Sequence, residues 1–356
     1  MSSRRLPAEW ENQSGVMLTW PHQHSDWHNT LSSVEPVFVE ISHHISKAEK
    51  LLIVALNDEH ITHITSTLDK ANISSHNITF FCAPSNDVWA RDHGPISVLQ
   101  NDQCLLLNFN FNGWGDKYAA DQDNKINGHL FEDGAFTPTP LLSIDFILEG
   151  GSIECDGNGT ILTTTHCLLS PMRNPAPQKL AIEARLKELL GATRVLWLTQ
   201  GELIGDDTDG HIDTLARFCS ADTIMYTQCQ DEQDAHHASL KQMEYELTQM
   251  RTTDGRPYHL VPLPLPPAVF SKQHNNENQR LPATYANFLI INNAVLLPTY
   301  GLSTDDTAID IVQRCFPARK IIPINCLPLI EQHGSLHCVT MQFPTGILDQ
   351  QRQLRT

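Results

Sequence analysis

The sequence predicts a mixed α/β fold in which about five similar units are arranged radially. Strand-rich segments with one internal plan recur along the chain, and amphipathic helical patterns connect them. The first four segments begin at residues 92, 149, 211 and 287. A recurrence at roughly sixty residues indicates a repeated supersecondary unit. No linker divides the chain convincingly, so residues 1–356 are expected to form one catalytic domain.

Each strand-rich segment combines an apolar run, a short polar or glycine-containing turn and a second apolar run. Four such pairs are predicted: Asp92–Phe109 around QND, Glu149–Thr165 around DGNG, His211–Thr227 around SAD and Asn287–Tyr300 around NN. A fifth unit begins at Cys338 but contains only one clear strand, CVTMQF. We expect the run Gly15–Trp20 to supply its partner and to close the ring.

The stretches between the strand pairs have apolar residues at helical spacing. Helices are predicted at Val34–Lys50, Ile61–Ala71, Pro177–Leu190, Asp231–Thr252 and Thr304–Cys315. Gly191 directly follows the third of these and is a typical helix terminator. Strand pairs that alternate with helices predict the α/β class.

The formal net charge of −17 argues against a nucleic-acid partner. An acidic surface can also enrich a cationic substrate, although solubility is the commoner explanation for such a charge. Nine cysteines without CxxC spacing argue against a disulfide framework and a zinc knuckle. Reduced thiols and the lack of an apolar signal segment after Met1 predict a cytoplasmic protein. No apolar stretch is long enough to cross a membrane, so no membrane association is expected.

Polar residues stand at the start of each predicted unit: Asp92, Glu149, His211 with Asp213, and Cys338. Taken singly, each has an ordinary structural explanation, such as an ion pair for Asp92 or core packing for the Cys338 thiol. The spacing of two places His211 and Asp213 on one face of a strand. If the units are related radially, all five side chains point to one centre.

This combination suits chemistry on a guanidinium group, which is planar and permanently charged. Asp92 and Asp213 can each accept a pair of its N–H donors. Cys338 can attack the central carbon as a thiolate, while His211 serves as acid and then base. Glu149 would orient His211. This scheme uses no metal or cofactor, and the zinc-hydrolase pattern HExxH is absent.

Four segments resemble the signature blocks of agmatine deiminases, which belong to the guanidino-modifying superfamily together with bacterial peptidylarginine deiminases. They are WARDHGP (89–95), LEGGSIECDGNGTILTT (148–164), DDTDGHIDTLARF (206–218) and GSLHCVTMQFP (334–344). The resemblance implies a five-bladed α/β propeller, the pentein fold, and the roles given above. It further implies that Trp89 lines the substrate channel and that Asp207 meets the far end of the substrate. Asp209 and Gly334 are expected to border the same pocket.

The chain departs from the family pattern at two positions. Gln332-His333-Gly334 stands where many agmatine deiminases have three glycines, and Asp209 stands where many have Asn. Asp206, Asp207 and Asp209 favour a substrate with a cationic tail, which makes agmatine the expected substrate and putrescine synthesis the expected pathway. Peptidylarginine hydrolysis, amidino transfer and a non-catalytic binding propeller stay open, as does a homo-oligomer.

Overall fold

Five β-sheets and the helices between their strands give the described part of the chain an α/β fold. The computed structural model describes residues 4–175, 178–272 and 278–348. Its strands are β1 (Arg4–Arg5), β2 (Gln13–Thr19), β3 (Lys50–Ala55), β4 (Ile78–Cys82), β5 (Ile96–Gln100), β6 (Gln103–Asn110), β7 (Leu141–Ile147), β8 (Ile153–Cys155), β9 (Thr160–Thr164), β10 (Arg194–Leu198), β11 (Ala216–Ser220), β12 (Thr223–Gln228), β13 (His259–Pro264), β14 (Leu289–Ile291), β15 (Ala294–Thr299), β16 (Lys320–Asn325) and β17 (Thr340–Pro344).

The helices lie mainly between strands that pair in parallel. They are α1 (Leu31–Ala48), α2 (Asp58–Lys70), α3 (Ala90–His93), α4 (Gly113–Asp116), α5 (Ile126–Glu132), α6 (Thr165–Leu168), α7 (Lys179–Leu190), α8 (His237–Gln249), α9 (Asp305–Cys315) and α10 (Leu327–Ile330). Short 3₁₀ helices cover Ser75–Asn77, Asp123–Lys125, Gly150–Ser152 and Ile212–Thr214. None of the helices in this described part of the chain has the length and apolar character needed to span a bilayer.

The four predicted strand pairs are confirmed as antiparallel hairpins. They are β5–β6, β8–β9, β11–β12 and β14–β15, and the second strand of each pairs in parallel with the next strand along the chain. Two of their turns have the expected backbone conformation, because Asn101 and Asp102 adopt φ values of 51° and 62°, and Gly157 and Gly159 adopt 71° and 91°. Asn, Asp and Gly tolerate this left-handed region better than other residues.

The predicted partnership between the two ends of the chain is also confirmed. Strand β17 pairs antiparallel with β2, with Met341 opposite Met17 and Phe343 opposite Gly15. Strands β3 and β4 continue this sheet in parallel, in the order β17-β2-β3-β4. Every residue of β2 is buried, as is typical of a strand covered on both faces.

The chain forms two compact units. Unit 1 comprises residues 4–7, 11–150 and 338–348, and it contains the sheets β1-β5-β6-β7 and β17-β2-β3-β4. Its core includes Met17, Leu52, Phe136 and Phe343. Unit 2 comprises residues 8–10 and the described part of 151–337, and it contains the other three sheets.

The predicted helices are present, but their bounds differ from the predicted ones, most of all at the start of α8. Helix α1 begins three residues before Val34 and ends at Ala48, because Lys50 already belongs to β3. Helix α8 begins at His237 instead of Asp231, since Asp231 and Asp234 accept hydrogen bonds from the backbone N–H groups two residues later and hold turns there.

The remaining helix predictions agree closely with the structure. Helices α2 and α9 begin within three residues of the predicted starts. Helix α7 ends at Leu190, followed by Gly191 with φ 74°. Its predicted start at Pro177 lies outside the described residues.

Strand β2 passes close to β3 at Gly15, and this close approach predicts that no side chain larger than hydrogen fits there. A Cβ at Gly15 would lie 2.3 Å from the carbonyl oxygen of Lys50. We expect Gly15→Ala to lower the free energy of unfolding by about 1–3 kcal/mol through overpacking. Gly128→Ala is the matched control, because no atom lies within 4 Å of its Cβ position in α5. Urea unfolding of both variants checks this, and equal stabilities would contradict it.

Candidate active site

The nine residues predicted to bind or convert a substrate are divided between the two compact units. Unit 1 contains Trp89, Asp92, Glu149 and Cys338, and unit 2 contains Asp207, Asp209, His211, Asp213 and Gly334. All of them lie in the loops and short helical turns that precede β5, β8, β11 and β17, consistent with the pattern predicted for the start of each unit.

Asp92 lies on the single turn of α3 and is 4% exposed. Its Oδ2 accepts a hydrogen bond from the indole N–H of Trp114 at 3.0 Å. The ring of Trp89 is also buried, and its centroid lies 6.5 Å from that of Trp114. Asp92 is therefore a buried carboxylate beside two indole rings, a setting in which its charge is poorly screened by water.

Arg91 connects the Asp92 turn to Cys338. Its backbone N–H donates to the carbonyl oxygen of Cys338 at 3.1 Å. Its guanidinium donates to the side-chain oxygen of Gln342 and to the sulfur of Met341, both on β17. The strand that follows Cys338 is thus held against the turn that carries Asp92.

Glu149 directly precedes a residue that lies against the same turn. Its side chain is fully buried. A Cβ at the next residue, Gly150, would lie 2.3 Å from the carbonyl oxygen of Arg91, so only glycine fits there. Unit 1 therefore brings Asp92, Glu149 and the 4% exposed Cys338 together around the main chain of Arg91.

Two further acidic residues support Trp89, and the sequence analysis missed both. The Oδ1 of Asp87 accepts hydrogen bonds from the Trp27 indole at 2.7 Å and from the Val88 N–H at 2.8 Å. The Oδ1 of Asp123 accepts the N–H groups of Asn86 and Asp87. Burial raises the pKa of Asp87 to about 6 and that of Asp123 to about 8. The sequence does not single out Asp87 or Asp123 as functional, because Asp is also common in ordinary turns.

His211 and Asp213 in unit 2 are both fully buried. The prediction that they share one face of a strand is wrong, because they belong to the turn before β11. The Thr214 N–H and hydroxyl both bond to the carbonyl oxygen of His211 and close this turn into the 3₁₀ helix Ile212–Thr214.

A hydrogen-bonded loop fixes the position of His211. The carboxylate of Asp206 accepts from the Thr208 hydroxyl at 2.7 Å and from the Gly210 N–H at 2.8 Å. The Thr208 oxygen in turn accepts the His211 N–H at 3.0 Å. Burial raises the pKa of Asp206, and the nearby charge of His211 opposes that rise. Asp206 therefore shapes the loop that presents His211.

Asp209 forms an ion pair that the sequence analysis did not anticipate. Its Oδ2 accepts from Arg173 at 2.7 Å, and the Arg173 side chain is fully buried. Arg173 also donates to the carbonyl oxygen of Thr208. The residue adopts φ 65°, a conformation that Asn and Asp tolerate. Part of the negative charge expected to attract a cation is thus compensated within the protein.

Asp207 and His333 lie at a more open part of the same unit. The Asp207 side chain is 37% exposed, and its Oδ2 lies 3.7 Å from Nε2 of His333. The Nδ1 of His333 lies 2.7 Å from the Gly205 carbonyl oxygen. His333 has φ 68°, which explains why glycine suits this position in the family pattern, and the half-buried Gly334 follows it.

Asp213 is held in its ionised form by neighbouring cations. Burial by itself raises the pKa of Asp213, but the hydrogen bond from His337 and the charges of His337, His211 and Arg217 outweigh it and lower the pKa below its usual value. His337 precedes Cys338 directly, yet the sequence offered no reason to assign it a role. Asn287 also bonds to this group, because its Oδ1 accepts the His337 N–H at 2.9 Å.

Comparisons with known proteins place this geometry in a family. Residues 5–344 match the model of the Porphyromonas-type peptidyl-arginine deiminases. A Vibrio parahaemolyticus protein provisionally named as an agmatine deiminase is 34% identical over 95% of this chain and 96% of its own length.

Two solved structures cover almost the whole chain. A Porphyromonas gingivalis protein provisionally named as an arginine deiminase is 47% identical, with a TM-score of 0.89 and coverage of 97% of this chain and 99% of its own. A cysteine-to-serine variant of the C. jejuni agmatine deiminase with substrate bound is 36% identical, with a TM-score of 0.89 and coverage of 97% and 98%. The chain therefore belongs to the Porphyromonas-type peptidyl-arginine deiminase family.

The buried Asp123 predicts a pH-dependent stability. Because its folded pKa is raised to about 8, its contribution to stability is complete below the unfolded pKa and is lost as the pH rises through about 8. Asp123→Asn keeps an oxygen acceptor without the charge, so we expect it to be more stable than wild type by roughly 1–3 kcal/mol near pH 8, and by less near pH 5. Thermal unfolding across this pH range measures the effect.

Asp121→Asn provides the control for that measurement. Asp121 is exposed and bonds to Asn86 through the side-chain amide. Its variant should keep most of the wild-type pH dependence, because the Asp121 charge is the weakest of the influences that raise the pKa of Asp123. If the stability of Asp123→Asn had the same pH dependence as that of wild type, the buried Asp123 carboxyl would not be the source of that pH dependence.

Proposed function

We propose that this protein is an agmatine deiminase, which hydrolyses agmatine to N-carbamoylputrescine and ammonia and so serves putrescine synthesis. The observation that carries this proposal is near full-length similarity to proteins named as agmatine deiminases, combined with buried acidic, histidine and cysteine side chains at the matching motifs. The family name points equally to the deimination of arginine side chains, so guanidinium hydrolysis is the feature that these descriptions share.

In the proposed reaction, Asp92 and Asp213 bind the substrate guanidinium, each through a pair of N–H donors. The thiolate of Cys338 attacks the central carbon and forms a C–S bond. His211 protonates one nitrogen, the C–N bond breaks and ammonia leaves, which produces a thiouronium intermediate. His211 then takes a proton from water, the resulting hydroxide attacks the same carbon, and the C–S bond breaks to release the ureido product.

The properties of these residues support their proposed roles. Asp92 and Asp213 are buried, and the pKa of Asp213 is lowered, so a cation there meets a charge that water does not screen. A cation beside Cys338 would also favour its thiolate form. Glu149 is proposed to orient His211. These roles require no metal or cofactor.

Recognition of the substrate tail is assigned to the residues around the mouth of the proposed pocket. Trp89 would contact the methylene chain, and Asp207 would attract the terminal ammonium group. Asp209 and Gly334 are proposed to shape the same region, with Asp209 acting through its ion pair with Arg173.

We further propose that the five sheets are the blades of a five-bladed α/β propeller and that the chain is one catalytic domain. The support is the shared plan of all five sheets, in which an antiparallel pair is extended by a parallel strand. The lack of CxxC pairs and the predicted reduced thiols support a cytoplasmic location.

Peptidylarginine hydrolysis is the second candidate function, and the family description favours it directly. Ammonia release from agmatine, free arginine and a blocked arginyl peptide distinguishes the candidates. Turnover that depends on an acceptor amine would indicate amidino transfer instead. If the protein turned over none of the three compounds, the remaining hypothesis would be a non-catalytic binding protein.

Replacement of Cys338 tests the proposed nucleophile. We expect Cys338→Ala to lower kcat for ammonia release from agmatine by roughly 10⁴-fold or more, because no other group forms the C–S bond. Cys229→Ala is the control, since this thiol is also buried but bonds only to the Asp231 carbonyl in its turn. It should retain activity within about twofold. Unchanged ammonia release by Cys338→Ala would refute the mechanism.

Replacement of Asp207 tests recognition of the tail. Agmatine ends in an ammonium group, whereas arginine also carries a carboxylate there. Asp207→Ala should raise the KM for agmatine roughly fivefold, the size expected for a partly exposed charge pair, without raising that for arginine. Asp254→Ala removes an equal charge from an exposed turn and controls for the general electrostatic change. Equal effects of Asp207→Ala on both substrates would refute this assignment.

A further inference from the structure

A chain of charged groups, all of them buried except the partly exposed Glu9, continues from Asp213. His337 is fully buried, and its Nδ1 lies 2.8 Å from Oδ2 of Asp213. On the opposite side of the ring, Nε2 lies 2.8 Å from Oε1 of Glu9. The imidazole therefore stands directly between two carboxylates, one from the turn before β11 and one from the segment 8–10.

This geometry indicates the charge state of His337. An ionised carboxylate only accepts hydrogen bonds, and a neutral imidazole has a single N–H donor. Hydrogen bonds from both ring nitrogens to two carboxylates therefore require the imidazolium form. A buried imidazolium with a carboxylate on each side is compensated electrostatically, which allows the charge to persist without water.

Arg217 fixes the Glu9 end of the chain. Its guanidinium is fully buried and donates to Oε2 of Glu9, to Oε1 of Glu154 and to the Phe288 carbonyl oxygen. Burial alone lowers the pKa of Arg217, but the charges of Glu154, Glu9 and Asp213 raise it above its ordinary value. Its Nη2 lies 3.2 Å from Nε2 of His337, so these two cations share the Glu9 carboxylate.

The Glu154 carboxylate completes this group. Burial raises the pKa of Glu154 to about 8, and the N–H groups that its two oxygens accept from Arg217 and from the Phe218 backbone oppose this rise only in part. The segment that carries Glu9 is itself fixed, because Arg319 donates to the Trp10 carbonyl oxygen at 2.8 Å. Glu9 is therefore a held partner of His337 and not a mobile surface charge.

We propose that Glu9 is a positioning residue for the reaction: together with Arg217 it keeps His337 as an imidazolium, and the Nδ1–H of His337 fixes the orientation and charge of Asp213. This inference rests on the proposed function, in which Asp213 binds the substrate guanidinium. It assigns part of the substrate-binding machinery to the N-terminal segment, which no signature motif includes. Residues that hold a binding carboxylate at the required angle commonly matter about as much as a direct contact.

The test is Glu9→Gln, which keeps an oxygen acceptor for His337 but removes the negative charge. The groups that face His337 would then be Asp213 and Arg217, with His211 and Glu154 beside them, and the imidazolium would lose its proton at lower pH. We expect the KM for agmatine to rise roughly tenfold near pH 8 but little near pH 6, with a smaller change in kcat, because a ground-state binding interaction weakens.

The matched control is Glu11→Gln. Glu11 is two residues away and forms an ion pair with Arg5, outside the His337 group. It should leave both the KM and its pH dependence unchanged. Glu9→Asp, which retains the charge, should restore most of the wild-type pH profile, whereas a merely structural loss would not be rescued in this pH-dependent way.

Nitrogen-15 NMR of the histidine side chains provides a readout that is independent of activity. The His337 signals, assigned by their loss in His337→Gln, should show two protonated ring nitrogens near pH 7 in wild type and a lower titration midpoint in Glu9→Gln. A neutral His337 in wild type, or equal pH profiles for Glu9→Gln and Glu11→Gln, would overturn the inference. If Glu9→Gln does not fold, this wild-type spectrum still tests the imidazolium form of His337, and the pH profile of Glu9→Asp tests the positioning role of Glu9.

The ammonia-release assay and the NMR measurement together distinguish failure of this inference from failure of the proposed function. If wild type released ammonia from none of the guanidino compounds, the proposed function would fail while NMR could still establish the imidazolium between Glu9 and Asp213. If wild type were active on agmatine and Glu9→Gln behaved as wild type at every pH, only the positioning role of Glu9 would be lost.

Discussion

The antiparallel pairing of β17 with β2 is the constraint on which the rest of unit 1 depends. It joins residues from opposite ends of the chain, with Met341 opposite Met17. Closing so long a loop is entropically costly, and the buried sheet β17-β2-β3-β4 offsets that cost through apolar burial. Once β17 is fixed, the turn before it that contains Cys338 is fixed too, and the hydrogen bond from Arg91 sets the main chain of Cys338 beside the Asp92 turn.

Charge compensation is the second organising feature, and it is concentrated around the motif residues. Arg173 and Arg217 are both buried, and their guanidinium groups pair with Asp209 and with Glu9 and Glu154, respectively. Removing one partner from such a pair leaves an uncompensated buried charge, which is costly. The buried Arg91 donates to the neutral side chains of Gln342 and Met341 on β17. The buried arginines therefore hold the loops and strands that carry the acidic, cysteine and histidine side chains. This structural role is separate from the binding of a substrate.

Several features were predictable because local chemistry decides them. The turn residues Asn101 and Gly157 adopt positive φ values, and the apolar runs beside them pair as hairpins. Helix α7 ends where Gly191 follows it. The start of α8 was mispredicted because Asp231 and Asp234 compete for backbone N–H groups, and apolar periodicity is insensitive to that competition.

The sequence by itself determined the α/β class, the hairpins and the identity of the motif residues. Turn chemistry and strand patterning depend on neighbouring residues in the sequence, and residue type is given by the sequence directly. Only the tertiary structure decided which charges meet. Asp209 pairs with Arg173, and His337 stands between Asp213 and Glu9, because the chain brings together residues that are 36 to 328 positions apart. Such contacts depend on the packing of whole strands and loops, and no local spacing encodes them.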